Sequence, residues 1–193
     1  ICFQRPMEKL VDLADGIESP RWLSGAKLNI VDSCFRAEPE AVAIVLGRQG
    51  DELSTVCYGE LEALTNRVAN GLLEDGFSPG EGIAIAMPMT VESVAAYLGI
   101  IRAGLIAVSI ADSLASEEIA VRFRISDAKG VFTQDFVPRA GKRIPLYERV
   151  LSAGAPRAVV LQHEPNRTVP LREGDLPWKT FLSDDNRFEP EEC

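Results

Sequence analysis

Residues 80–109 read Gly-Glu-Gly-Ile-Ala-Ile-Ala-Met-Pro-Met-Thr-Val-Glu-Ser-Val-Ala-Ala-Tyr-Leu-Gly-Ile-Ile-Arg-Ala-Gly-Leu-Ile-Ala-Val-Ser, two apolar runs flanking a stretch with helical spacing. Pro88 ends the first run, Thr90 is placed to cap a helix, and Glu92 suits the positive end of its dipole. Val91, Val94, Ala95, Leu98 and Ile101 recur at three- and four-residue steps and predict one buried face. Arg102 suits the negative end, and Gly104 can take the left-handed conformation that closes the helix. Two apolar strands joined by an amphipathic helix require a parallel sheet covered on its faces. This β-α-β unit therefore dictates a layered α/β fold.

The 193 residues, 46% of them apolar, suffice for one domain with a substantial core. A formal charge of −9 argues against general binding to nucleic acid or to anionic membrane surfaces, so an anionic ligand needs a local basic cluster. The longest apolar segment, Val94 to Ile101, falls far short of the roughly 18 residues of a membrane span, and a soluble protein is expected. Cys2, Cys34, Cys57 and Cys193 lack metal-ligand spacing and are expected to be reduced thiols in an intracellular protein. Asn166-Arg167-Thr168 matches a glycosylation acceptor, read as a chance pattern without a secretory signal. Ile1-Cys2-Phe3-Gln4 and Glu191-Glu192-Cys193 read as cuts in something longer.

Along the chain, Glu8 to Asp15 is weakly helical, and Trp22 beside a glycine-containing loop is expected to anchor packing. Ala41 to Leu46 and Leu53 to Tyr58 predict a small β-hairpin around the turn Gly47-Arg48-Gln49-Gly50. Gly59 to Asp75 is a helix, ended by Gly76 and Pro79. After the β-α-β unit, Ile119, Val121, Phe123 and Ile125 alternate like a strand. A strand there would leave Val131 to Thr133 without its crossover, so a helix beginning near Glu117 and Glu118 is predicted, with Asp112, Ser113 and Ser116 as caps. Lys142 to Ala153 reads as another helix, Ala158 to Leu161 as another strand, Trp178 to Leu182 as a docked turn, and Ser183 to Cys193 as an acidic, mobile tail. The expected organisation is an amino-terminal segment, 1–35, an α/β subdomain, 36–162, and a Pro-rich and acidic tail, 163–193.

Ligands of open α/β sheets gather beyond the carboxyl ends of the strands. Those positions are Met87 to Thr90, Ala111 to Ser113, Thr133 to Lys142 and the loop after Leu161. Arg139-Ala140-Gly141-Lys142-Arg143 puts three cations within five residues at a predicted helix start, as a phosphate-bearing cofactor requires. From composition alone, a solvated basic turn is the simpler reading. Asp112 and Ser113 could orient a polar substrate, though helix capping is the simpler role. His163, the single histidine, lacks a partner nucleophile and is expected to be merely solvated. Gly80-Glu81-Gly82 precedes its strand where a dinucleotide fingerprint must follow one, and the carboxylates of 184–192 lack the spacing of a calcium loop.

With these residues in view, the chain resembles the amino-terminal part of AMP-forming acyl-CoA synthetases, the adenylate-forming ligases, and most of all the plant acyl-activating enzymes of the acetyl-CoA-synthetase-like branch. Four patches carry the resemblance in family order. Trp22-Leu23-Ser24-Gly25-Ala26-Lys27-Leu28-Asn29 is similar to the family's Trp-x-x-Gly-Gly-x-Leu-Asn, and Tyr58-Gly59-Glu60-Leu61 to its Tyr-x-x-Leu helix start. Met87-Pro88-Met89 through Arg102-Ala103-Gly104 resembles its Met-Pro strand and Gly-Ala crossover. Arg139-Ala140-Gly141-Lys142 with Ile144-Pro145-Leu146 resembles its Arg-x-Gly-Lys/Arg segment, which contacts coenzyme A. Ala26 and Asp32-Ser33-Cys34-Phe35-Arg36 depart from the pattern.

The resemblance implies the amino-terminal domain of a ligase using ATP, coenzyme A and Mg. Carboxylate, ATP and coenzyme A become acyl-CoA, AMP and diphosphate, by way of an acyl-adenylate. It implies coenzyme-binding roles for Arg139, Ala140, Gly141 and Lys142 and raises that reading above the solvated turn. The family's Ser/Thr/Gly-rich phosphate loop, aromatic-Thr-Glu motif, ribose-binding Asp and carboxyl-domain Lys are not in this sequence. The segment is therefore expected to be a scaffold holding part of the coenzyme site, inactive alone, with the rest of the ligase chain as partner. The plant likeness implies a peroxisomal location, with the cytoplasm as the other choice. The competing expectation is a non-catalytic α/β module that binds a phosphorylated ligand or an acidic partner surface.

Overall fold

The computed structural model describes residues 1–47, 52–139, 141–163 and 169–188. The predicted turn at 48–50, Ala140, the pattern at Asn166 and the acidic residues from 189 onward lie outside the described residues. The amino-terminal part holds strands β1 (Lys9–Asp12) and β2 (Arg21–Ser24), then a single turn of helix, α1 (Val31–Cys34). Next come the hairpin β3 (Val42–Leu46) and β4 (Ser54–Cys57) and the long helix α2 (Tyr58–Glu74). The β-α-β unit is β5 (Gly82–Ala86), α3 (Val91–Arg102) and β6 (Ile106–Ile110), followed by α4 (Ser116–Ser126) and β7 (Gly130–Gln134). A second hairpin, β8 (Phe136–Arg139) and β9 (Lys142–Pro145), leads into α5 (Leu146–Ser152). Strands β10 (Arg157–Leu161) and β11 (Leu176–Pro177) and a last turn, α6 (Trp178–Phe181), complete the described elements.

Five strands form one parallel sheet in the order β11-β10-β7-β5-β6. The alternation of a strand sends successive side chains to opposite faces. Ile83 and Ile85 of β5 meet α2, α3 and α6 on one side, whereas Ala84 and Ala86 meet α4 and α5 on the other. Phe132 of β7 fills the first layer, edge-on to Trp178 and Phe181 at centroid distances of 5.7 and 5.3 Å. Coverage is uneven: β5 is buried throughout, but β6 is an edge strand and Ile106 is 56% exposed.

The helix over 116–126 resolves the ambiguous alternation in favour of the crossover that β6 and β7 require. Thr90 caps α3 as its position predicts. Its hydroxyl accepts from Ser93 N at 3.1 Å and the Ser93 hydroxyl accepts from Thr90 N at 2.9 Å, while Gly104 closes the far end at φ +76°. The face of α3 is rotated from its predicted position. Ser93, Ala95, Ala96, Gly99 and Ile100 are buried, and the larger Val91, Val94, Leu98 and Ile101 are only half-buried, because a close crossing with α2 demands small residues.

Three expectations fail for identifiable reasons. The weakly helical stretch from Glu8 to Asp15 contains β1, since pairing of Lys9 with Ser24 and Val11 with Trp22 outweighs a weak local preference. Trp22 is no anchor: it stands 67% exposed on β2. Residues 183–188 of the predicted mobile tail are a docked strap. Arg67 Nε donates to Ser183 O at 2.6 Å, Asn66 Nδ2 to Asn186 O at 2.9 Å and Asn70 Nδ2 to Arg187 O at 2.8 Å, so one helix face holds several carbonyls of the strap.

At the start of α2, Cys57 N donates to Glu60 Oε2 at 2.9 Å and holds that carboxyl below its usual range. A depressed carboxyl adds stability that is present above its unfolded value, roughly 4.3, and is lost as pH falls through the lower folded value. The melting temperatures of the parent and Glu60→Gln should therefore differ at pH 6 and converge toward pH 3. A gap constant with pH would mean that Glu60 contributes through shape alone.

Candidate functional site

In the sheet order, β5 and β7 are neighbours whose outgoing connections run to opposite faces. The chain leaves β5 for α3 on one side and leaves β7, through the hairpin, for α5 on the other. By the general rule for open α/β sheets, that divergence is a switch point, and a ligand is expected beyond the carboxyl ends of the two strands. Next to this switch point stand Met87 to Thr90, with Met89 86% exposed, and the hairpin that follows Gln134.

The basic bend sits in that hairpin, on a different element from the one its sequence predicts. Residues 142–145 form β9, and the helix begins only at Leu146. Pro138 and Pro145 do not suit a helix interior, and Val137 opposite Ile144 gives the hairpin an apolar side against the core. Arg139 and Lys142 are directly paired at the tip, and Gly141 makes the turn at φ +73° with open space where a Cβ would lie. Arg139, Gly141 and Lys142 are exposed, whereas Ala140 lies outside the described residues. Like charges on directly opposed positions of a hairpin repel, so an anion between them would relieve the tip. The donor chemistry of two cations and an unobstructed glycine turn fits a phosphate group.

The remaining cation has another task. Arg143 lays its guanidinium over the Phe136 ring at 3.6 Å, and the His163 ring meets the same Phe136 edge-on at 5.1 Å. His163 is thus half-buried against the base of the hairpin rather than simply solvated. Its backbone N donates to both Asp135 oxygens, at 3.1 and 3.2 Å. Asp135, 2% exposed, also accepts from Phe136 N through Oδ1 at 2.8 Å, and its backbone joins Leu161, Leu146 and Tyr147. This carboxylate fixes where the hairpin leaves the sheet. The sequence gives no warning beyond an acid directly after an apolar strand.

The other predicted polar residues separate. Asp112 Oδ2 accepts from Arg139 Nη2 at 3.1 Å, which joins the loop after β6 to the hairpin tip. Ser113 is exposed, and Ser116, within the first turn of α4, donates to Arg149 O at 3.1 Å. The residue at the N-cap of α4 is Ala115, so neither Asp112 nor Ser113 serves as that cap. Among the described residues, no three His, Cys, Asp or Glu side chains gather as a metal site, and no helix is long and apolar enough to cross a membrane.

The family profile of the AMP-binding enzymes matches residues 31–191. The chain belongs to the AMP-binding enzyme family. It is 45% identical over 172 residues to a protein of Arabidopsis thaliana named probable acyl-activating enzyme 18, peroxisomal, covering 84% of this chain and 24% of that one. It is 38% identical over 185 residues to hexanoyl-CoA synthase of Cannabis sativa, covering 90% of this chain and 26% of that one. The fold matches acetoacetyl-CoA synthetase from Streptomyces lividans at a TM-score of 0.84 and 23% identity, over 98% of this chain and 30% of that one. The chain spans about a quarter of the length of the curated relatives it matches. These matches bear out the resemblance to the amino-terminal part of AMP-forming acyl-CoA synthetases.

Within this AMP-binding enzyme chain, the first family-like patch has a structural task. Asn29 Nδ2 donates to Ile101 O at 2.8 Å and to Arg102 O at 3.3 Å, while its Oδ1 accepts from Val31 N at 3.0 Å. The patch thereby satisfies carbonyls at the carboxyl end of α3 and pins the amino-terminal segment to the β-α-β unit.

Proposed function

We propose that the chain is the amino-terminal portion of an ATP-dependent acyl-CoA synthetase that converts a carboxylate, ATP and coenzyme A to acyl-CoA, AMP and diphosphate. It supplies the sheet scaffold and one wall of the coenzyme site, with Arg139, Gly141 and Lys142 facing a coenzyme phosphate and Ala140 belonging to the same motif. The observation that carries this reading is the exposed Arg139–Lys142 pair at the tip of the hairpin that follows β7, in a chain of this family. Coenzyme A, when bound, supplies the thiol that takes up the acyl group. The hairpin tip neutralises and orients its phosphate, and Asp135 keeps the hairpin in place. ATP and Mg are held by the remainder of the ligase, and the peroxisomal name of a relative supports that compartment.

Two measurements test the proposal. The purified 193-residue chain should show no ATP–pyrophosphate exchange. In the synthetase that carries it, Arg139→Ala with Lys142→Ala should raise the KM for coenzyme A about tenfold or more, as loss of two charge-assisted contacts implies, and leave that exchange unchanged. Exchange by the chain alone, or an unaltered KM in the double variant, would overturn the assignment.

A further inference from the structure

We infer that Asp112 is a built-in counter-anion that sets how tightly the hairpin tip holds a phosphate. The inference rests on the proposed anion role of Arg139 and Lys142 and adds a residue that opposes them.

The first ground is position. Asp112 follows β6 and Arg139 ends β8, which continues from β7, and in the sheet β5 lies between β6 and β7. The hairpin β8–β9 stands outside the five-stranded sheet, and the 3.1 Å contact joins it to the loop after β6 past the intervening strand β5. The ion pair therefore ties together the two connections that leave the sheet on either side of β5.

The second ground is that the carboxylate is held there. The Asp112 side chain is 16% exposed, against 52% for Arg139. Its loop is fastened from α5: Arg149 Nη1 donates to Asp112 O at 3.0 Å and to Leu114 O at 3.1 Å. A carboxylate on a fastened loop stays put, whereas the half-exposed arginine is free to turn.

The third ground is competition. A guanidinium engages a carboxylate or a phosphate through the same N–H fork, so a phosphate entering between Arg139 and Lys142 meets Asp112 as a rival of like charge. Lys142, directly opposite Arg139, adds its charge to the phosphate side. Arriving phosphate draws Arg139 off Asp112, and departing phosphate is replaced by it. An ion pair this exposed is worth little in water, so the tip is held ready rather than blocked, and the restraint on affinity is about two- to fivefold.

The test is equilibrium titration of the synthetase carrying this chain with coenzyme A at low salt, with thermal melts to check that each variant is folded. Asp112→Asn should tighten binding about two- to fivefold, and Asp112→Glu should stay near the parent. Combining Asp112→Asn with Arg139→Ala should remove the gain. Unchanged or weaker binding in Asp112→Asn, with Lys142→Ala still weakening it, overturns the counter-anion role and leaves the anion site standing. If Arg139→Ala and Lys142→Ala both bind like the parent, the anion site itself fails and this inference with it.

Discussion

Replacing Asp175 by alanine is expected to lower the unfolding free energy by about 3–5 kcal/mol, the range seen when one partner of a buried polar network is removed. The Asp175 side chain is 1% exposed and serves three elements at once. Its Oδ1 accepts from Ala158 N on β10 at 2.8 Å and from Arg172 Nη2 at 2.9 Å, and its Oδ2 accepts from the Tyr147 hydroxyl of α5 at 2.7 Å. The hydroxyl in turn accepts from Arg172 N at 2.8 Å. Burial pushes the Tyr147 phenol above its ordinary value, so at neutral pH it remains the proton donor that this carboxylate needs. Alanine would leave two buried donors, Ala158 N–H and Tyr147 O–H, without a partner. Arg172 would lose less, since it is 42% exposed and also donates to Ala155 O and Pro156 O. Asp175→Asn keeps an acceptor and should cost about 1–2 kcal/mol. Denaturant titration at constant slope separates the two variants. A loss below about 1 kcal/mol in Asp175→Ala would show that water satisfies those donors.

The hub of that network, Asp175 with Arg172, lies within residues 163–193, which their prolines and acids mark as irregular tail. The sequence reading missed it because a carboxylate's partners are a matter of three-dimensional placement. Asp175 stands 17 residues from Ala158 and 28 from Tyr147 along the chain. The β-α-β unit, in contrast, is legible because each local signal agrees with the sheet: an apolar strand, a proline stop, a threonine cap, a glycine close and a second strand. The helix α4 is legible only by topology, since its own residues alternate like a strand.

The candidate site is legible in composition and illegible in form. Arg139, Gly141 and Lys142 make a basic cluster whichever element carries them, but helix or hairpin turns on Pro138, Pro145 and the pairing of Val137 with Ile144. Once the segment is a hairpin, its cations stand across the turn from each other rather than along a helix. Asp112 then matters for a reason other than capping. An acid in a loop reads as a cap, and nothing in the one-dimensional order signals an arginine 27 residues later at 3.1 Å.

Gly99→Ala is expected to destabilise the fold by about 2–3 kcal/mol, although alanine is the better helix former by roughly 1 kcal/mol. Gly99 faces Thr65 and Val68 of α2 in the α2–α3 crossing. A Cβ there would lie 2.6 Å from Val68 Cγ1, 2.7 Å from Val68 Cβ and 3.0 Å from Thr65 O. A flexible side-chain end could swing aside, but the Val68 Cβ is fixed to the backbone and its branched side chain has one favoured helical rotamer. Val68 is also wholly buried, so the helices must part. Parting them would loosen Leu72, Ala96 and Ile100 in the same layer. The double variant Gly99→Ala with Val68→Ala should recover about 1–2 kcal/mol relative to the sum of the single changes, because the second substitution makes room for the first. If Gly99→Ala melts at or above the parent temperature, the crossing has slack and the seam of small residues has another cause. The glycine thus shows why the predicted face of α3 is rotated: apolar periodicity marks the largest side chains, whereas a close helix crossing is built from the smallest.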